Sequence, residues 1–255
     1  MESTSRATPT FVGKTILITG ANRGIGRALA EEFAAAGGGL IVHSRNETDV
    51  FAEDMRALAG RYGVQVDRIA FDLGDVNAMK AAVNGVLPAG RRIDVLVNNA
   101  GIAHGGLFQM TPLATVREVF DINFFAQLEL TQLIVRRMVR QKSGAIVNFG
   151  SIAGLDLSAG NVAYGTSKAA LMAFTKTLAA EVAPLGVRVN AVAPGLTDTE
   201  MATRMEKKAG ARMVESSAMR RMASVQEVAR VALFLASDAA SFVNGQVIRV
   251  DGGGV

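Results

Sequence analysis

The stretch "NVAYGTSKAALMAF" (161–174) has the small, apolar composition of a helix that is about to be buried, yet it carries Tyr164 and, four positions on, Lys168. At a helical spacing the two side chains lie one above the other on a single face. A phenol is a weak acid, with an ordinary pKa of about 10. Bringing it to about 7 or 8, where it can protonate the alkoxide left by hydride transfer to a carbonyl, takes roughly 3–4 kcal/mol of preference for the phenolate. An ammonium one turn away supplies charge of the right sign, so the spacing predicts that Lys168 acidifies Tyr164. Ser151, just past the apolar run "GAIVNFGS" (144–151), is placed to donate to a substrate oxygen on which negative charge develops. Taken singly, a strand-end serine is also an ordinary turn residue and a Tyr/Lys pair also an ordinary snorkelling surface pair.

A second chemical signal is "TGANRGIG" (19–26), where a strand-like run meets a helix-like one. Gly20, Gly24 and Gly26 allow a tight turn and close backbone approach, with Asn22, Arg23 and Ile25 between them. The positive end of the following helix suits a pyrophosphate; a packing turn is the plain alternative. About twenty residues beyond the glycines, a site for NAD would offer a carboxylate to the ribose. Here the stretch is "VHSRNE" (42–47), with Ser44 and Arg45 in that place and Glu47 close by. Arg23 reaches the same region, and two guanidiniums grip a 2′-phosphate well. The expected cofactor is therefore NADP(H), against the alternative of two solvated arginines.

These residues need a scaffold. Strand-like runs fall at 15–20, 40–45, 68–73, 93–101, 144–151, 187–195 and 246–252, with helical stretches near 24–36, 47–62, 76–87, 112–140, 161–183 and 225–236. Short β-branched runs alternating with helices predict an α/β fold, a doubly wound seven-stranded parallel sheet covered on both faces. The 255 residues read as a loose tail (1–10) and one domain (11–255) with a lid at about 196–224. The lid carries Met201, Met205, Met213, Met219 and Met222, which suit a flexible apolar substrate or simply pack the lid down. Cysteine is absent and only two histidines are present, which excludes disulfides and argues against a metal site. Net charge is +4 with scattered basic residues, so no nucleic-acid surface is expected. No apolar run is long enough for a membrane span and the N-terminus is not a signal peptide, so the expected location is cytoplasmic.

The glycine spacing is G-x-x-x-G-x-G rather than G-x-G-x-x-G. With "NNAG" (98–101), Tyr164-x-x-x-Lys168, "PGLTDT" (194–199) and "VDGG" (250–253) in order, it resembles the short-chain dehydrogenase/reductase family across essentially residues 12–254. The pattern is most similar to the family's 3-oxoacyl-[acyl-carrier-protein] reductases. The resemblance implies a Rossmann-like fold and a catalytic set of Asn123, Ser151, Tyr164 and Lys168. In it the main-chain carbonyl of Asn123 holds a water linked to Lys168, and Lys168 also holds ribose hydroxyls. It implies Asp72 at the adenine, Asn98 on the adenosine ribose side and Thr197 at the nicotinamide carboxamide, with Leu73, Ala100, Gly101, Pro194 and Gly195 completing the cofactor-binding set. The expected reaction is NADPH-dependent reduction of a 3-oxoacyl thioester to the 3-hydroxyacyl form. A reductase of a free small ketone, sugar or steroid is the alternative within the same chemistry, and a non-catalytic NADP-sensing protein the alternative outside it. Arg136, Arg137, Arg140 and Lys142 close a long helix and are expected either to dock an acidic acyl carrier protein or to form a solvated basic face. His104 is expected at the pocket mouth or on the surface. The apolar helices at 112–140 and 161–183 point to self-association, by resemblance as a homotetramer.

Overall fold

A computed structural model of the chain describes residues 10–199, 214 and 217–254. Its strands are β1 (Thr15–Ile18), β2 (Gly39–Ser44), β3 (Val66–Ala70), β4 (Val95–Asn98), β5 (Gly144–Phe149), β6 (Val187–Pro194) and β7 (Val247–Val250). They form one sheet in the order β3-β2-β1-β4-β5-β6-β7, and every pairing is parallel. The Rossmann-like doubly wound sheet read from the sequence is the one observed. Its strand order reverses between β1 and β4, which opens a crevice at their carboxyl ends.

The helices are α1 (Gly24–Ala35), α2 (Asp49–Tyr62), α3 (Val76–Val86), α4 (Leu113–Phe120), α5 (Ala126–Gln141), α6 (Val162–Val182) and α7 (Val225–Ala236). Strand side chains alternate between two cores. Ile16 and Ile18 pack with Leu29 and Phe33 of α1, Leu58 of α2 and Val228 of α7. Leu17 points the other way, to Met79 of α3, Leu130 and Ile134 of α5 and Leu178 of α6. This period of two, buried on both sides, is why the strands read as unbroken apolar runs.

Helix starts follow local chemistry where the chain supplies it. Thr48 caps α2, Asp75 caps α3 through two amides, and Ser224 with Glu227 makes a reciprocal capping box on α7. The start of α1 has no side-chain cap and no acidic residue in its first turn.

Among the boundaries that differ from expectation, two carry a structural reason. The strand expected at 68–73 is β3 at Val66–Ala70, because Phe71 and Leu73 are buried just beyond the ladder and extend the apolar run. The single helix expected at 112–140 is two helices joined by a π-helical turn, Asp121–Phe125. Asn123, within that turn, is fully buried. Of the expected lid, Met201, Met205 and Met213 lie outside the described residues. Its base is pinned: Ala223 donates to the Leu196 carbonyl (3.0 Å), and Asp198 donates to that of Ala223 (2.9 Å). Of the expected tail only Thr10 is described. No helix among the described residues is long and apolar enough to cross a membrane.

Gly26 is where the fold tolerates no side chain, since a Cβ there would sit 1.9 Å from the carbonyl oxygen of Gly20. Gly26→Ala is expected to lower stability in urea unfolding by about 3 kcal/mol. Gly60→Ala in α2, where a Cβ meets nothing within 4 Å, is expected to raise it by about 0.5–1 kcal/mol.

Candidate active site

Tyr164 lies in the first turn of α6 and Lys168 one turn on, as the spacing requires. Lys168 is 4% exposed, and its Nζ donates to the carbonyl oxygen of Phe149, the last residue of β5, at 2.7 Å. Two residues beyond Phe149, Ser151 starts a short 3-10 turn and accepts a hydrogen bond from the Ala153 amide (3.2 Å). β5 and α6 therefore meet with a hydroxyl, a phenol and an ammonium side by side. Asn123 backs them. Its Oδ1 accepts from the Ile102 amide (2.8 Å), while its Nδ2 donates to the Ile102 carbonyl (2.9 Å) and to the Ser167 hydroxyl (3.2 Å).

The electrostatics depart from expectation at one point. Burial holds the Lys168 ammonium down at about 8. Burial also pushes the Tyr164 phenol above its ordinary value, and the Ser151 hydroxyl pulls it back by less. Among the protein's own groups Lys168 does not offset that burial, since its ammonium is aimed at Phe149 and sits 6.0 Å from the centre of the tyrosine ring. At neutral pH the phenol therefore holds its proton and can donate it.

The glycine turn closes against the end of β4. A Cβ on Gly20, whose φ is 68°, would lie 3.0 Å from the Ala100 Cα. The Thr19 hydroxyl accepts from the amides of Asn99 (2.9 Å) and Ala100 (3.0 Å). Gly101 touches the catalytic side, where a Cβ would lie 2.8 Å from Asn123 Oδ1 and 3.4 Å from Lys168 Nζ. Thr199 approaches Gly24 from the β6 side, and Pro194, Gly195 and Thr197 follow the end of that strand. Thr197 is buried and donates to the Gly195 carbonyl (3.2 Å). Glycine turn, Ala100–Gly101, Ser151, Tyr164, Lys168 and Thr197 thus share the carboxyl edge of the sheet.

Several sequence-predicted residues stand differently. Asn98 does not offer its side chain to a ribose. It is buried between layers and donates to Thr131 Oγ1 and Asn148 Oδ1, both at 2.8 Å. Ser44 is buried with its hydroxyl on the Asn46 carbonyl (2.7 Å). Ile25 and Leu73 put their side chains into the cores, so only their backbones face the crevice. Asn22 and Arg23 are exposed in the turn. Arg45 is exposed and paired with Asp72 (2.6 Å), whose other oxygen accepts from the Gly74 amide. His104 is half-buried beside Thr111 (3.4 Å). The basic group at Arg136–Lys142 closes α5 and leads into the first residue of β5, whereas Ser151 follows its last. Six residues of strand, about 20 Å, separate the two ends, so one chain does not bring that cluster to its own Ser151, Tyr164 and Lys168. The sequence reading missed Thr19, His43 and Gln127, whose Nε2 donates to the Ala100 carbonyl (2.7 Å). Nothing in their local pattern distinguishes them from strand and helix filler.

A family model described as enoyl-(acyl carrier protein) reductase matches residues 20–254. The 3-oxoacyl-[acyl-carrier-protein] reductase FabG of Aquifex aeolicus (strain VF5) is 40% identical over 243 residues, 94% of this chain and 97% of that protein. The chain belongs to the short-chain dehydrogenase/reductase family. The chain is accordingly an oxidoreductase, and its fold is shared with solved members. A putative NAD(P)-dependent gluconate 5-dehydrogenase from Beutenbergia cavernae with bound NADP matches with a TM-score of 0.89 and 36% identity, covering 95% of this chain and 97% of that one. An NAD+-bound xylitol dehydrogenase matches with a TM-score of 0.90 and 30% identity, covering 95% and 99%. A nicotinamide dinucleotide fits the residues present. The amides at the start of α1 are uncapped, the Gly20–Gly26 contact leaves no side chain in the turn, and the buried Lys168 ammonium has one acceptor among the described residues for its three donors.

In this short-chain reductase, Tyr164→Phe is expected to retain dinucleotide binding and lose turnover by about 10²–10⁴-fold, read by fluorescence titration beside steady-state rates. Lys168 makes a stability prediction. Its pKa is near 8 folded and near 10.5 unfolded, so between these values the unfolded chain binds more protons and stability rises with pH. Relative to Lys168→Met, the wild-type protein free of nucleotide is expected to gain about 2 kcal/mol from pH 8 to about 10 in urea unfolding.

Proposed function

We propose that this chain is an NADPH-dependent ketoreductase that converts a 3-oxoacyl thioester, on acyl carrier protein or CoA, to its 3-hydroxyacyl form. The observation that carries the reading is the bond from buried Lys168 to the Phe149 carbonyl, which joins α6 one turn after Tyr164 to the end of β5 two residues before Ser151. When bound, the reduced nicotinamide supplies the hydride. The chain's own residues do the rest. Ser151 and Tyr164 both present O–H groups to the carbonyl oxygen, which orients the substrate and stabilises charge as it builds there. The protonated Tyr164 then gives its proton to the nascent alkoxide. The proton is then replenished along the Asn123 side of the site.

Arg45 supports NADPH over NADH. It stands at the end of β2 with no carboxylate of its own strand in the ribose position, and Asp72 holds its guanidinium next to that place. Exposed Leu155 and Leu157, in the loop after Ser151, supply an apolar rim for an acyl chain. The similarity to the carrier-protein reductase of Aquifex aeolicus favours the thioester. The gluconate and xylitol dehydrogenases named among the structural neighbours favour a free keto-sugar or polyol as the second reading. Exposed Leu107, Phe108, Met110, Leu113 and Phe125, on and beside α4 and α5, support self-association, with a homotetramer as the proposed form.

The test is NADPH oxidation with acetoacetyl thioesters beside simple ketones and keto-sugars. The thioester is expected to give the highest kcat/KM; turnover confined to keto-sugars would establish the second reading instead. Arg45→Asp is expected to lower the NADPH over NADH preference by about tenfold or more, as loss of one charge-assisted phosphate contact implies. An unaltered ratio would show that the phosphate is held elsewhere.

A further inference from the structure

β2 reads Gly-Leu-Ile-Val-His-Ser, and its three aliphatic residues are what a central parallel strand ordinarily takes. His43 is as buried as they are, at 2% exposure, but both of its ring nitrogens are engaged. Nδ1 lies 3.3 Å from the amide nitrogen of Gly20, and Nε2 lies 2.9 Å from the carbonyl oxygen of Phe71. A carbonyl only accepts and an amide only donates. The ring is therefore the neutral tautomer with its proton on Nε2. Its main-chain carbonyl takes the next amide of the turn, that of Ala21, at 2.8 Å. The ring also packs on Phe71, with centroids 4.1 Å apart.

One side chain thus joins the carboxyl ends of three adjacent strands. Gly20 and Ala21 open the glycine turn after β1. His43 itself immediately precedes Ser44 and Arg45 at the end of β2. Phe71 immediately precedes Asp72 after β3. These are the three segments that carry the expected contacts to the adenosine half of the dinucleotide. With the first two amides of the turn turned inward onto His43, the later amides at the start of α1 are left to face the crevice.

We infer that His43 is a positioning residue for the adenosine half of the dinucleotide site, acting through the acceptor nitrogen that fixes Gly20. The inference rests on the dinucleotide reading of the glycine turn. A leucine of similar bulk preserves burial but leaves the Gly20 amide and the Phe71 carbonyl unpartnered. Asparagine places a carbonyl oxygen near Nδ1 and restores the acceptor. Glutamine reaches toward Nε2 and restores only the donor.

The test is fluorescence titration of wild type, His43→Leu, His43→Asn and His43→Gln with NADPH and with NADH, beside kcat at saturating dinucleotide and thermal unfolding. In His43→Leu and His43→Gln the dinucleotide Kd is expected to rise roughly tenfold, the effect of one unmade hydrogen bond. His43→Asn is expected to stay within about threefold of wild type, and in all three kcat should change less than Kd. Equal Kd values for wild type and His43→Leu would overturn the inference. So would equal losses in the Asn and Gln variants, a comparison that stands even where the Leu variant does not fold. Failure of wild type to bind either dinucleotide would overturn the cofactor reading itself, and the inference with it.

Discussion

The hydrogen bond from Lys168 to the Phe149 carbonyl is the constraint on which the rest of the catalytic end depends. An ammonium removed from water is costly unless it is well solvated by the protein, and here one backbone oxygen is the acceptor found among the described residues. That shortfall is visible in the lysine itself, whose pKa burial holds at about 8. The same bond sets geometry. It fixes the second turn of α6 against the last residue of β5. The first turn of α6, with Tyr164, is then carried to the loop that begins at Ser151. A shift of either element by one residue would move Tyr164 relative to Ser151, so the register of β5 sets the geometry of the candidate site. Its pairing on both sides, with β4 and with β6, holds that register.

The crevice beside this junction is assembled from loops, and each loop is tied to its neighbour by a small number of directed bonds. The Thr19 hydroxyl takes two consecutive amides of the Asn99–Ala100 segment, which locks the glycine turn to the end of β4. Gln127 of α5 reaches up to the carbonyl of Ala100, and Asn123 grips both backbone groups of Ile102. Farther out, the Gly106 amide donates to the Gly160 carbonyl (2.9 Å), which joins the loop after β4 to the one after β5. Preorganisation of this kind matters because donors aimed in advance at developing charge need no rearrangement as the reaction proceeds.

Much of this was legible in the sequence, for identifiable reasons. Buried parallel strands produce apolar runs, glycine turns demand glycines, and Tyr164 and Lys168 are one helical turn apart in any α-helix. Two kinds of information were not local and so were not legible. The π-helical turn that contains Asn123 lies inside an apolar periodicity that runs straight through it. The surroundings of Asn98 are also invisible in the chain: its partners Thr131 and Asn148 come from α5 and β5, far along the sequence. The motif marks Asn98 equally well for a ribose contact or for the layer-spanning bond it makes. The acidity of Tyr164 failed to follow from spacing for a related reason. Spacing gives the proximity of an ammonium, but burial and the direction in which that ammonium points decide the sign of the shift.

The pairing of Arg45 with Asp72 bears on how the chain could select between dinucleotides. A guanidinium already engaged by a carboxylate at 2.6 Å could be read as unavailable to a phosphate. Magnitudes argue otherwise. The two side chains are 76% and 40% exposed, and ion pairs in such surroundings contribute about 0–1 kcal/mol. A 2′-phosphate brings more negative charge and a bidentate surface for the same fork of donors, in contacts roughly twice as strong as neutral hydrogen bonds. The carboxylate then acts as a weak holding partner. On the proposed NADPH reading it would keep a long side chain in one place, reducing the rotamer freedom that binding removes, and would give way to the stronger anion. Because Asp72 also accepts from the Gly74 amide, it stays in place when the guanidinium leaves. On the same reading its carboxylate would remain nearby as a negative group, so the position of Arg45 would decide whether that neighbourhood repels or accepts a phosphate.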